Sequence, residues 1–137
     1  MTMNREYPHT ADIERVLGNC PKMISNRGLN YLIPRWKMIA GNFLYNDQCT
    51  VEEYLAEMTI RFWIGQVLGI LGEPERSMIK DEIGLYDDEL IARTFELKDC
   101  LWGWQIELER GYKRSENFYY YRAPQFVIDQ SEEIQKR

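Results

Sequence analysis

The sequence predicts a mainly α, single-domain helical bundle of about five helices, with a short extended segment near its carboxyl end. Three observations lead to this fold class. The chain has 137 residues, the size of one ordinary domain. Apolar residues recur at helical spacing between capping residues over most of its length. Residues 117–128 differ, because they combine aromatic and β-branched side chains, which are typical of strands.

The amino-terminal part predicts one short helix followed by a loop. The hydroxyl of Thr10 can cap a helix over residues 11–17. Residues 19–30 carry several helix-breaking types, so we expect a loop there. Residues 1–9 and the polar residues 129–137 are expected to be flexible ends of the single domain 1–137.

A proline predicts the start of the second helix. Pro34 lacks an N–H, which a helix does not use in its first turn, so the expected helix covers residues 34–44. Trp36 lies on its apolar stripe and is assigned a structural role in the core. A strand over residues 31–33 remains an alternative.

The clearest helix start in the sequence is Thr50. Thr50 and Glu53 form a capping box, in which each side chain can bond the other residue's backbone amide. The helix is expected to run to Leu71, with Gly72 as its carboxyl cap. Tyr54 belongs to its broad apolar side and is assigned a structural role.

Two more helices are predicted after this one, a short one over residues 73–84 and a long one over residues 87–111. Apolar residues and one threonine recur in the long helix at intervals of four and three, which is typical of a packed helix face. They are Leu90, Thr94, Leu97, Leu101, Trp104 and Leu108. We expect the Thr94 hydroxyl to bond a carbonyl one turn earlier, with a neighbouring loop as the alternative partner. Trp104 is expected to be buried.

The aromatic segment Tyr119–Tyr121 is predicted to lie extended over the bundle. Because alternate side chains of an extended segment face opposite ways, either Tyr120 or the pair Tyr119 and Tyr121 should be exposed. Exposed tyrosine and arginine are common anchors of protein interfaces. Tyr119, Tyr121 and Arg122 are therefore candidates for partner contact, and covering the edge of the core is the alternative.

Charge narrows the class of partner. The formal net charge is −5 and the sequence pI is about 5.0, whereas a protein that binds nucleic acid needs a surplus of Lys and Arg. No apolar run approaches the ~20 residues that span a bilayer, and the first residues lack the pattern of a signal peptide. We expect a cytoplasmic protein, a monomer or weak dimer, with no nucleic-acid or membrane partner.

Few residues suggest catalysis. The chain has one histidine, His9, and none of the common nucleophile, phosphate-loop or zinc motifs. Glu53 and Glu57 are one turn apart but lack the histidine of helical metal sites. Three cysteines without CxxC spacing predict free thiols. We expect no enzyme activity, no catalytic residues, no metal and no cofactor.

Acidic residues are the other candidates for partner contact. Asp87, Asp88 and Glu89 form the densest acidic run, and Glu57 and Glu96 are further candidates. Clustered acids can meet a basic protein surface. The alternative for the run 87–89 is stabilisation of a helix amino terminus by its negative charge. Both roles can hold together.

Four pieces of the sequence together resemble one family of small bacterial proteins. They are Ile33-Pro34-Arg35-Trp36, the stretch Glu53–Arg61, Asp87 followed seven residues later by Thr94, and Tyr119-Tyr120-Tyr121-Arg122-Ala123-Pro124. The family is largely uncharacterised and resembles the small acidic immunity proteins of bacterial toxin systems, such as contact-dependent growth inhibition. Ala56, Glu57 and Thr59 stand where its more acidic members have Asn, Asp and Asp.

The resemblance implies a protein that binds a cognate toxin domain, often a nuclease, and occludes its active site. It also implies that the stretch around Arg61 determines the fold, with Arg61 paired to an acid such as Asp87. A structural or adaptor subunit of a larger bacterial assembly is the alternative function. An enzyme of an unrecognised type is a third.

Overall fold

The computed structural model describes residues 6–41 and 49–137. Among the described residues, helix accounts for 62% and strand for 5%, which confirms a mainly α fold. Seven α-helices, one 3-10 helix and two short strands make up the described part. They are α1 (Ala11–Val16), α2 (Lys22–Arg27), α3 (Leu29–Gly41), α4 (Val51–Leu68), α5 (Glu75–Arg93), β1 (Phe95–Glu96), α6 (Trp104–Arg110), the 3-10 helix (Phe118–Tyr121), β2 (Arg122–Ala123) and α7 (Gln125–Ile128).

The centre of the fold is α3, which packs against both α4 and α5. Trp36 and Ile39 of α3, Tyr54 and Met58 of α4 and Ile83 of α5 are almost inaccessible to solvent. This burial confirms that Trp36 and Tyr54 lie in the core, as predicted. No described helix is both long enough and apolar enough to cross a membrane.

The first helix is confirmed, and the predicted loop after it is wrong. Thr10 caps α1, accepting a hydrogen bond from the Ile13 amide at 3.2 Å. Within the expected loop 19–30 the chain forms α2, because Ile24 becomes buried and anchors a turn of helix. Gly28 ends α2 with a φ of 58°.

Helix α3 begins five residues before the proline that was expected to start it. Pro34 lies inside the helix, where it removes one backbone hydrogen bond at a cost of about 3 kcal/mol. Burial outweighs this cost, since Leu29, Leu32 and Ile33 are all inaccessible and continue the apolar stripe toward the amino terminus. The strand over 31–33 is therefore wrong, and the predicted helix end at residue 44 lies outside the described residues.

Helix α4 starts as predicted and ends early. The Thr50 hydroxyl accepts from the Glu53 amide at 3.1 Å, and the Glu53 carboxylate accepts from the Thr50 amide at 3.4 Å, which confirms the capping box. Gly69, rather than Gly72, is the carboxyl cap.

The largest correction concerns the two helices predicted after α4. A single helix, α5, runs through Gly84 to Arg93, so the acids 87–89 lie near its carboxyl end and not at an amino terminus. The predicted long helix stops at Thr94, whose backbone is extended with φ −127° and ψ 164°. Gly103, with φ 86°, separates the rest as the short helix α6.

Arg122 and Thr94 explain why α5 stops where it does. The Thr94 hydroxyl donates to the carbonyl of Leu90 at 2.8 Å, as predicted. The Arg122 guanidinium donates to the carbonyls of Ile91 (3.2 Å) and Thr94 (3.0 Å) and to the Thr94 hydroxyl (2.9 Å). These bonds satisfy carbonyls that an α-helix leaves without partners at its end.

The predicted extended segment near the carboxyl end is mostly helical. A 3-10 helix covers Phe118–Tyr121, and only Arg122–Ala123 is a strand, paired antiparallel with β1. Because the 3-10 turn replaces the expected alternation, Tyr119, Tyr120 and Tyr121 are all buried.

Both chain ends of the described part are held by contacts, although we expected 1–9 and 129–137 to be flexible. Tyr7 is buried, and its backbone exchanges two hydrogen bonds with the Asn30 side chain. At the other end, the amides of Lys98 and Arg137 donate to the carbonyls of Gln135 and Glu96, both at 2.8 Å. Residues 1–5 lie outside the described part of the chain.

One ion pair joins the helices at the core. Arg61 of α4 donates twice to the Asp87 carboxylate of α5, at 2.9 and 3.0 Å, and both side chains are largely buried. The indole N–H of Trp36 donates to the same carboxylate at 3.0 Å. The guanidinium also lies 5.7 Å from the ring centre of Tyr119. The predicted pairing of Arg61 with Asp87 is therefore confirmed.

We predict that Asp87→Ala lowers the free energy of unfolding by about 3–5 kcal/mol, because it leaves the Arg61 charge buried and uncompensated. Asp88→Ala is the matched control on the solvent side and should change it by less than about 0.5 kcal/mol. Urea denaturation measures both. In the double variant Asp87→Ala with Arg61→Leu, the loss should be smaller than the sum of the single losses. Equal losses for Asp87→Ala and Asp88→Ala would contradict this assignment.

The corrected end of α5 gives a second prediction. Leu90 is fully buried, so Leu90→Ala should cost about 2–5 kcal/mol of stability. Leu108 is 78% exposed, so Leu108→Ala should cost less than about 0.5 kcal/mol. Thermal unfolding compares the two. One long packed helix would give a similar stability cost at both positions. That result would refute the break at Thr94.

Candidate partner-binding surface

The structure separates the acids of the run 87–89. The Asp87 side chain is turned inward onto Arg61 and Trp36 and is 14% exposed, so the structure does not present it as a surface contact. Asp88 and Glu89 are exposed on the outer side of α5. They share that side with Asp81 and with two exposed apolar side chains, Met78 and Leu85. We call these five residues the outer face of α5.

The aromatic candidates for partner contact also lie inside the molecule. The hydroxyl of Tyr119 accepts from the Asn117 side chain at 2.9 Å. The hydroxyl of Tyr121 donates to the Glu107 carboxylate. Arg122 is occupied in capping α5. The alternative reading, that these side chains cover the edge of the core, is the one that the structure supports.

The two remaining acidic candidates already have basic partners within the chain. Glu57 accepts two hydrogen bonds from Arg35 of α3, and its side chain is only 17% exposed. Glu96 lies within ion-pair distance of Arg114 (3.3 Å) and Arg137 (2.9 Å). Their charges are thus largely balanced before any partner arrives.

A groove that the sequence did not predict lies where the start of α4, the segment before α6 and the carboxyl-terminal residues meet. Its volume is about 640 Å³. Apolar side chains form much of its lining, namely those of Val51, Leu97, Leu101, Trp104 and Ile134. We call it the α6 groove.

The two most exposed large apolar side chains of the described residues lie on α6, and one of them lines the α6 groove. Trp104, which lines it, is 69% exposed, and Leu108 is 78% exposed one helical turn further along α6. The structural role predicted for Trp104 in the core is therefore wrong. The physical reason is the length of α6, since a two-turn helix cannot bury apolar side chains on every side.

The charged side chains that line the α6 groove are all negative. Glu52, Asp99, Glu107 and Glu133 line it, and no lysine or arginine does so among the described residues. Glu107 accepts from Tyr121, whereas Glu52, Asp99 and Glu133 are exposed. No ion pair reaches those three carboxylates from the described part of the chain.

A second, larger cleft of about 1110 Å³ lies between the residues before α1 and helices α2, α3 and α5. It is lined by both signs of charge, including Arg27, Arg35, Lys37 and Glu82. Arg35 is engaged with Glu57, and the ammonium of Lys37 lies 6.0 Å from the ring centre of Tyr86. This mixture gives the cleft no clear preference for one sign of ligand.

The three cysteines are free, as predicted. Cys49 and Cys100 are buried. Burial, together with the nearby carboxylates of Glu53 and Glu57, raises the pKa of the Cys49 thiol to about 11. Within the described ranges, no group of three His, Cys, Asp or Glu side chains is placed to hold a metal ion.

A sequence signal for the α6 groove existed in the two glycines that flank α6. Gly103 and Gly111 both have positive φ, 86° and 73°, and together they limit the helix to seven residues. Within such a short helix, Trp104 and Leu108 share one face and Ile106 lies on another. The regular apolar spacing from Leu97 and Leu101 to Trp104 and Leu108 indicated one continuous helix, so it did not reveal the break before α6.

Comparison with known proteins adds no relative. No protein-family model, no curated protein and no solved structure matches the chain significantly.

The buried tyrosines give a prediction on pH. Burial raises the pKa of Tyr119 to about 12 and raises those of Tyr120 and Tyr121 as well. A raised pKa means that the folded protein holds its phenolic protons more tightly than the unfolded chain. Stability should therefore be fully present below about pH 10, the usual tyrosine pKa, and fall as the pH rises from there toward 12.

Urea denaturation at a series of pH values, combined with phenolate absorbance, measures this loss. Tyr119→Phe removes one titrating group, so its stability should decline less steeply above about pH 10 than that of the wild type. An identical slope in the variant would show that Tyr119 ionises as easily in the folded protein as in the unfolded chain.

Proposed function

We propose that this chain is a non-enzymatic bacterial immunity protein that binds a cognate toxin domain and occludes its active site. The observation that carries the proposal is the α6 groove, which the exposed Trp104 lines together with carboxylates. The exposed Leu108 follows one turn further along α6. Large exposed apolar side chains next to uniform charge are typical of protein interaction sites. The resemblance of the sequence to acidic immunity proteins supports the same function.

Charge supports the choice of partner. Many toxins of this kind are nucleases, whose clefts are basic because they bind phosphate backbones. A protein with net charge −5 and an acidic groove would be steered toward such a cleft and would be repelled by nucleic acid itself. The proposed site of action is the cytoplasm, where a nuclease toxin meets its substrate.

The scaffold suits a binding role as well. The α6 groove is built on the capped start of α4 and on a tail bonded to β1. Surfaces held in one conformation lose little entropy when they bind. The proposed partner would therefore meet a largely preformed site.

The experiment is protection of cells by co-expression with the toxin domain encoded beside this gene. Wild-type protein should restore growth, and Trp104→Ala should weaken protection, since interface tryptophans are worth about 2 kcal/mol or more. Met78→Ala on the outer face of α5 is the matched control and should protect fully. Gel filtration should show a one-to-one complex.

Failure of the wild type to protect against its genetically linked toxin would refute the proposed function. Co-purification with several different proteins in a larger particle would instead favour a structural or adaptor subunit, the alternative function.

A further inference from the structure

We infer that the α6 groove is a docking site for a lysine- or arginine-bearing, partly apolar polypeptide segment of a protein partner. This inference deepens the proposed function, on which it rests for the identity of the partner. It names the chemistry of the occupant and the residues that would hold it.

The apolar part of the groove predicts an apolar anchor in the occupant. Leu97 is buried, Leu101 and Ile134 are half-buried, and Trp104 stands exposed at the edge. An incoming aliphatic side chain can lie against the Trp104 ring and cover part of the surface that water now contacts. Removing such surface from water is worth about 25 cal/mol per Å².

The charges predict which residues flank that anchor. Exposed Glu52, Asp99 and Glu133 come from three separate parts of the chain and line the same groove. A lysine or arginine on either side of the anchor would meet at least one of these carboxylates. An acidic segment, a nucleic acid or an anionic membrane would meet repulsion instead.

The start of α4 does not reverse this preference. A helix amino terminus favours anions through its unpaired amides. Here the capping box uses the amide of Glu53, and the Glu53 carboxylate also accepts from the Thr50 hydroxyl at 3.1 Å. The acids of the first turn therefore already supply the negative charge that the helix favours.

The test uses a short synthetic peptide with lysines on both sides of a central leucine, and a control peptide with glutamates in place of the lysines. NMR titration follows the indole N–H signal of Trp104, assigned with Trp104→Phe. The lysine peptide should shift this signal and bind more weakly as salt is added, and the glutamate peptide should do neither. If the Trp104 signal does not move, or if both peptides bind equally, the inference is wrong.

Charge-reversal variants distinguish binding in the α6 groove from general electrostatic attraction of the peptide to an acidic protein. The groove variant combines Glu52→Lys, Asp99→Lys and Glu133→Lys, and the control variant combines Asp81→Lys, Asp88→Lys and Glu89→Lys, so that both change net charge equally. The groove variant should lose roughly tenfold in affinity for the lysine peptide, and the control should lose clearly less. Equal losses would overturn the inference, since they would reflect total charge alone.

A set of neutralising substitutions keeps the test valid if charge reversal disturbs the folding of α4. Glu52→Gln, Asp99→Asn and Glu133→Gln remove the charge and keep the side-chain shape. This set should also weaken binding of the lysine peptide, and unchanged affinity in a folded protein would overturn the inference.

Failure of the inference and failure of the proposed function are distinguishable. If the wild type protects cells and the groove variant protects equally well, the groove is not the docking site, although the function stands. If the lysine peptide binds in the groove as described and the wild type does not protect, the docking site stands and the immunity function falls.

Discussion

The fold depends on one largely buried ion pair, formed by Arg61 and Asp87. Arg61 and Asp87 come from the two longest helices, and Trp36 of the third helix in the core bonds the same carboxylate. A buried ion pair of this kind adds little net stability over an apolar contact, but an unpaired member is costly. We therefore expect its effect to be on specificity, because shifting α5 by one turn relative to α4 would leave both charges without a partner.

The same pair explains an unfavourable feature of α5. Acids toward the carboxyl end of a helix oppose its dipole, most strongly in the last turn, and the run 87–89 lies one turn before it. Arg61 offsets this for Asp87, and Arg122 brings positive charge to the last carbonyls of the helix. The acids that remain, Asp88 and Glu89, face solvent, where water screens them.

Local chemistry in the sequence predicted the parts of the fold that depend on neighbouring residues. The capping box at Thr50 and the back-bonded hydroxyl of Thr94 each involve groups within four residues. Predictions failed where burial competed with a local rule. Pro34 sits inside α3 because Leu29 and Ile33 are buried before it, and Gly84 stays helical because Ile83 and Leu90 hold α5 to the core.

The candidate site was harder to predict than the fold, because its parts are distant in sequence. Tyr119 and Tyr121 are residue types common at interfaces, yet the 3-10 turn buries both. Trp104 is a residue type common in cores, yet it is exposed. Only the placement of Glu52, Asp99 and Glu133 around one groove reveals the charge pattern, and that placement follows from tertiary packing.

The attachment of the carboxyl-terminal residues has a consequence for how binding and folding are linked. Residues 130–135 form one wall of the α6 groove, and the Lys98 and Arg137 amides hold this wall to the strand region. Any ligand that binds only the complete groove must stabilise the attached form of the tail over a detached one. Occupancy of the groove would then be visible as slower hydrogen exchange at these two amides, even where the ligand makes no hydrogen bond to them.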